Sequence, residues 1–420
     1  MMSYSIYKSF IGALFIASSA PSAAFSLSSP LKAHSTHRLT SKLMYTKIDQ
    51  FNTTTTFLPP LTDQLATKKT KHLVKIDFDE DLSKDIDSTR PYYNLENEHS
   101  ILDDTGKCHG IICTIKSSAP IGRETGDLSL FNFLRASGCV NSAMALLMAN
   151  PGKKKHIYPN CDYSVDVNPS HNIRFERELS SISNCEEFFK EAAPDDPVFI
   201  ICGIEMTKRS GTSFGVLKTK DTFFYITGRF HIIPMAVFKK RFPSPSTTVR
   251  APYTSVNPYE NLTSKLHHFK KYSSLYQDWV CVEATLPPVQ AHDCIGHIED
   301  CPCLPHSSMI FHTCDLIGLA IGELTGLEIP FKKSDFGEEH GLKLLHFDAE
   351  PQNLIFPETY GLKFQARVYC SSGKIGTPGS TYIVEASATQ DVTGLVCFTA
   401  TGRFALSPVF FNKNKKVIAN

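Results

Sequence analysis

The sequence predicts an α+β chain built as two tandem copies, each a single apolar helix wrapped by an antiparallel sheet. Three observations predict this. Thr-Gly-Arg-Phe stands at 227–230 with Pro234 four residues on, and again at 401–404 with Pro408 four residues on, an offset of 174 residues. The same offset carries the small-residue apolar segment Leu130–Ala149 onto Leu304–Glu323, the other segment of that character. Stretches rich in β-branched residues precede each helix, HGIICTIKSSAP at 109–120 and WVCVEATLPP at 279–288, the composition of strands. Two independent features that share one spacing mark an internal repeat.

The elements follow in order. Residues 1–48 hold no Asp or Glu but carry Lys8, Lys32, Arg38, Lys42 and Lys47, with Lys8 just before the apolar stretch 9–18 and small residues at 20–24. That is a secretory signal. The serine-rich, basic, acid-free run after it reads as a transit peptide, and the pair resembles the bipartite plastid presequence of algae with secondary plastids, with Phe25 following Ala24. The expected location is a plastid, with secretion as the alternative. Removing residues 1–48 moves the net charge from +1 to −4.

Residues 49–90, with TTTT and DFDEDLSKDID, read as a polar lead-in. The first copy spans 91–238, with strands at DYSVDV, VFIICGIEM, SFGVLKT and TFFYITGRFHIIP. Proline and serine density makes 239–262 a linker. The second copy spans 263–412, with strands at LLHFDA, LKFQARVYC, TYIVEASAT and GLVCFTATGRFAL, and 413–420 is a tail. Alternation in YIVEASAT and KFQARVY gives strands with one wet face. The segment LIGLAIG at 316–322 is apolar on nearly every side, so its helix needs a sheet to cover it. SGTSFG at 210–215 reads as a hairpin turn.

Composition narrows the function. Of the 420 residues, 42% are hydrophobic and 20% charged, with 43 Lys and Arg against 42 Asp and Glu. No global basic field exists to hold a phosphate backbone, so nucleic acid is not an expected partner. The apolar run near Phe10 to Ala17 is too short for a membrane span, which needs ~20 residues. The 13 cysteines are scattered and read as reduced core thiols. No cofactor is implied, since no Gly-rich phosphate loop, serine elbow or paired-carboxylate motif appears.

The segment with chemistry runs from Gly296 through His297, Ile298, Pro302, Cys303, Leu304 and Pro305 to His306, straight into the second apolar helix. It resembles the Gly-His motif of hotdog-fold 3-hydroxyacyl-thioester dehydratases, matched at Gly296, His297, Pro302 and Pro305, with Leu304 in the apolar slot. The resemblance implies a tandem double hotdog and an acyl-CoA or acyl-carrier protein substrate. His297 becomes the general base, and Cys303, Leu304, His306 and Phe311 lie along the acyl group. The physical logic is sound: free N–H groups at a helix start polarise a carbonyl, and an imidazole beside them takes a proton.

Two positions depart from the motif. His306 stands where the family has glycine and Phe311 where it has an acid. Asp315, one turn further, and His312 are the candidate replacements, against a bland reading of Asp315 as a local pair and His312 as a satisfied core histidine. The first copy has Arg123 at the position of His297, which makes that copy non-catalytic. Arg123 would meet a phosphate of the carrier or coenzyme A arm, or be a solvated surface residue, and Asn132, Arg135 or Asn141 would complete a shared cleft. A zinc site competes for Cys294, His297, Cys301, Cys303, His306, His312 and Cys314, though their spacing fits no standard knuckle. Two functions remain: an acyl-thioester enzyme, dehydratase-like or thioesterase-like, or a non-catalytic scaffold that self-assembles as a homo-oligomer or larger array.

Overall fold

A computed structural model describes residues 71–77, 91–116, 130–149, 157–158, 163–167, 171–192, 196–203, 207, 210–219, 223–233, 235–242, 257–259, 262, 264–276, 278–298, 301–327, 342–357 and 360–407. The chain divides into 1–68 and 69–420, and every described residue belongs to the second unit. The expected presequence, Arg123 and the tail lie outside the described residues.

Strands β1 (Lys71–Lys75), β2 (Leu95–Asp103) and β3 (Cys108–Ile115) precede helix α1 (Leu130–Ala149). Then come β4 (Ile157–Tyr158), β5 (Tyr163–Val167), α2 (His171–Ser180), β6 (Ile182–Ser183), α3 (Cys185–Glu191), β7 (Val198–Gly203), β8 (Ser210–Lys218), β9 (Phe223–Ile232) and α4 (Met235–Arg241). The remainder is β10 (His267–Ser273), β11 (Trp279–Leu286), α5 (His306–Thr325), β12 (Leu342–Pro351), β13 (Leu362–Ser372), β14 (Thr381–Gln390) and β15 (Val396–Leu406).

One sheet runs β10-β11-β13-β14-β15-β12-β5-β9-β8-β7-β3-β2-β1-β6, with β4 beside β9. The order β10-β11-β13-β14-β15-β12 is repeated as β2-β3-β7-β8-β9-β5, and the two meet where β12 pairs antiparallel with β5. At that seam His346 opposes Asp166. Its Nδ1 lies 2.6 Å from Asp166 Oδ1 and its Nε2 2.9 Å from Asp348 Oδ2. Burial alone would lower this imidazole's pKa, but the two carboxylates override it and raise it to about 9.

The core lies between the sheet and the two long helices. α5 packs on β11, β13 and β14, α1 on β3, and the helices on each other. Met309, Ile310, Phe311, Leu316, Ile317, Ala320 and Ile321 of α5 are all buried, which is how a helix without a polar face is kept from water. On the sheet, alternation holds as expected: Tyr382, Val384, Ala386 and Ala388 of β14 are buried and their neighbours are more open. The glycine of the second Thr-Gly-Arg-Phe has a packing cause. A Cβ on Gly402 would stand 2.7 Å from the Phe404 ring and 3.2 Å from Phe347.

Several details differ from expectation. α5 begins at His306, not Leu304, because Pro305 is its N-cap and a residue before proline is driven out of helical angles. Residues 210–215 are not a turn but the first part of β8, paired with β9 throughout and with β7 from Ser213. Gly215 is there for space, since a Cβ would fall 2.5 Å from the Phe199 ring. Residues 71–75, inside the expected lead-in, form β1. Tyr259, inside the expected linker, is a buried core residue. The twelve described cysteines are free thiols, most of them buried.

Candidate active site

The site is built on the descent from β11 into α5. After β11 a 3-10 turn (Ala291–Cys294) is closed by a reciprocal capping box between Gln290 and Asp293. Gly296 follows at φ 74, a left-handed geometry that glycine adopts without strain. This turns the chain so that His297 faces back towards α5: its Nδ1 lies 3.0 Å from the carbonyl of Cys303. A carbonyl only accepts, so Nδ1 carries the proton and Nε2 keeps the lone pair. Leu304 N–H donates to Ile355 O at 2.8 Å, which fixes the extended approach to the helix.

At the start of α5 no side chain caps the helix, and its first turn holds no acidic residue. Ser308 N–H donates to Pro305 O at 3.0 Å. The N–H groups ahead of it are the ones a helix start leaves without an intrahelical partner, and they carry the positive end of the helix dipole. Tyr92, from the other half of the fold, reaches the same place. Its ring centroid is 4.8 Å from that of His297, and its hydroxyl is 3.3 Å from Ser307 Oγ. Burial raises the Tyr92 pKa, so it is a neutral phenol.

Burial also sets the imidazoles. It lowers His297 to about 4, against the opposing carbonyl of Cys303. It lowers His306 to about 3, with the neighbouring His297 as the second cause, and His306 Nε2 is a buried atom with no hydrogen-bond partner. His312 is lowered to about 4 by burial and then by Lys265. All three rings are therefore neutral at pH 7.

The structure brings together His297, Cys303, Leu304 and His306, and adds Tyr92 and Ser307. Phe311 is buried between the helices, its ring 6.2 Å from that of Phe131 on α1. His312 packs edge-on against Phe311 and Phe364, and its Nδ1 is a buried atom with no hydrogen-bond partner among the described residues. Asp315 is buried on the same helix, nine residues or about 13 Å along the axis from His306 at ~1.5 Å per residue. Arg135 is nearly fully buried. Its guanidinium lies 5.4 Å from the Tyr92 ring, 5.8 Å from Phe131 and 4.9 Å from Tyr259, and it donates to the carbonyls of Tyr92 and Pro91. Tyr259 in turn donates to Ile295 O at 2.9 Å, tying this cage to the His297 turn. Asn132 and Asn141 are buried on α1 as well. Among the described residues no three Cys, His, Asp or Glu side chains are grouped so as to hold a metal ion.

Each six-strand order, with its long helix between the second and third strands of the set, is now in view. The fold is a hotdog. No protein-family model matches the chain, and no curated protein does. Solved structures similar to it include the tesB protein of Mycobacterium avium subsp. paratuberculosis, at 8% identity over 71% of this chain and 94% of that one with a TM-score of 0.38. Others are the 12:0-ACP thioesterase of Umbellularia californica (8% identity, 69% and 92% covered, TM-score 0.34) and a hot dog fold protein of unknown function from Alicyclobacillus acidocaldarius (9%, 71% and 93%, TM-score 0.31). Among the described residues no helix is long and apolar enough to cross a membrane.

Proposed function

We propose that the chain is a tandem double hotdog, with copies at 91–238 and 263–412, that acts on acyl thioesters with His297 as general base. One observation carries this: a neutral imidazole whose Nδ1–H is held by Cys303 O, so that Nε2 carries the lone pair, on the turn that leads into the uncapped start of α5. In hydrolysis, Nε2 takes a proton from water as the water oxygen bonds to the thioester carbon. The N–H groups of His306 and Ser307 receive the oxyanion. The C–S bond then breaks and the proton passes from the imidazolium to the leaving thiolate. In dehydration the same nitrogen removes the proton next to the carbonyl, the C–O bond to the 3-hydroxyl breaks as the double bond forms, and the imidazolium returns that proton to the departing oxygen, which leaves as water. A conjugate acid near pH 4 makes a weak base in the empty site. Negative charge growing at the carbonyl oxygen strengthens it during the reaction.

The substrate is an acyl group on coenzyme A or on an acyl-carrier protein. The acid-free, basic presequence supports delivery to a plastid. A fluorescent fusion to residues 1–48 that stays in the secretory pathway would overturn that assignment. For the chemistry, the test is thiol release from acyl-CoA and double-bond formation from 3-hydroxyacyl-CoA. His297→Ala, folded by circular dichroism, is expected to lose about 10²–10⁴-fold in turnover; equal rates in parent and variant would end the catalytic assignment.

A second reading, a self-assembling scaffold without turnover, is favoured by two observations. His306 and Phe311 occupy the glycine and acid positions of the motif, and the Tyr92 ring lies on His297. Large regular particles in electron microscopy, with no acyl-CoA binding, would select it.

A further inference from the structure

The two halves of the sheet end differently. β2 and β10 hold equivalent places, each the strand before the one that leads to a long helix. β2 is covered on its outer edge by β1, antiparallel, with Lys71 opposite Asp103 and Lys75 opposite His99. The covering is matched in charge: β1 carries Lys71, His72 and Lys75, and β2 carries Glu96, Glu98 and Asp103. Among the described residues β10 pairs with β11 alone and ends the sheet. Its residues after His267 are exposed on both faces.

The bare strand has the opposite charge and an apolar surface. It reads His267, His268, Phe269, Lys270, Lys271, Tyr272, Ser273, with no acidic residue. Lys271 is held by Glu323, and Tyr272 donates to Glu283 at 3.3 Å. Among the described residues no carboxylate lies within ion-pair distance of Lys270. Phe269 is 51% exposed, Tyr272 47%, and Leu275 and Tyr276 in the following turn 98% and 90%. Lysines on an edge strand repel a second copy of the same strand, but a purely defensive edge has no use for four exposed hydrophobic side chains together.

We propose that β10 is a docking edge for an extended acidic segment of a partner protein, added antiparallel as β1 is added to β2. The register with β11 shifts between His267 and Lys270, where His268 stands at φ 54, so the regular edge is 270–273, which accepts about 13 Å of strand at ~3.3 Å per residue. Main-chain hydrogen bonds supply the affinity, and the charge and apolar side chains supply the choice of partner. This is independent of the acyl-thioester reading, because it uses none of the residues of the His297 site.

The test uses the full chain and two labelled heptapeptides, one alternating glutamate and valine and one alternating lysine and valine, followed by fluorescence anisotropy and amide hydrogen exchange. The acidic peptide is expected to bind and to protect the amides of 267–273, and the basic one is not. Lys270→Glu should weaken the acidic peptide by about tenfold, or ~1.4 kcal/mol, and Lys270→Arg should not. Failure of the acidic peptide to bind, binding without protection at 267–273, or equal binding by Lys270→Glu would each overturn the proposal. So would protection of 267–273 that rises with protein concentration in the absence of peptide, because the occupant would then be a second copy of the chain.

Discussion

α1 and α5 are both 20 residues long and face each other across one core, yet they solve opposite problems. α1 buries a group that cannot give up its charge. Arg135 keeps its cation through aromatic faces and backbone carbonyls supplied by Tyr92, Pro91, Phe131 and Tyr259. α5 buries imidazoles that can drop theirs, and His306 and His312 do so. A permanent charge demands a built cage, and a titratable one needs only dryness. The first helix thus holds a fixed charge in its cage, and the second holds neutral rings.

The largest expected effect breaks the contrast at the base: His297→Ala removes about 10²–10⁴-fold of turnover, while His312→Ala, further along α5, keeps most of it. Comparison of kcat/KM for the two variants decides. Next, Arg135→Met should lower stability by about 3 kcal/mol by stranding two carbonyls and emptying the aromatic cage, and Arg135→Lys should recover little of it because ammonium lacks the planar fork. Urea midpoints measure both. Gly402→Ala should cost about 1–3 kcal/mol through the Phe404 clash and leave the pH profile unchanged.

pH separates the two kinds of histidine. His297, His306 and His312 are depressed in the fold, so between about 6.5 and their folded values of about 4, 3 and 4 the unfolded chain binds more protons. Stability therefore falls as pH drops through that window. His346 is raised to about 9, so its stabilisation is complete below about 6.5 and is lost as pH rises towards 9. The groups that face it are Asp166 on β5, Asp348 on its own strand and, across the pairing, Arg403 on β15. His346→Gln should flatten only the alkaline limb, the smallest of these effects.

Much of this was legible. β-branched and alternating runs located β3, β5, β7, the second part of β8, β9 and β11 to β15, and the repeated Thr-Gly-Arg-Phe aligned β9 with β15. What escaped had its pattern erased by its surroundings. β10 is wet on both faces and so shows no alternation. β2 is polar in sequence, yet Glu98, His99 and Ser100 are buried because β1 covers it. The His297 turn was legible through its glycine and prolines. Tyr92 and Tyr259 were not, because they reach the site from other segments and no local spacing announces a ring that arrives through tertiary contact.

The seam between β5 and β12 has an evolutionary consequence. Because both halves of the sheet are encoded in one polypeptide, a mutation is felt once, where in a pair of identical subunits it would be felt twice. That lets one half build a cage around an arginine while the other keeps neutral imidazoles in its long helix. A symmetric assembly could not reach such a division of labour without first separating its genes.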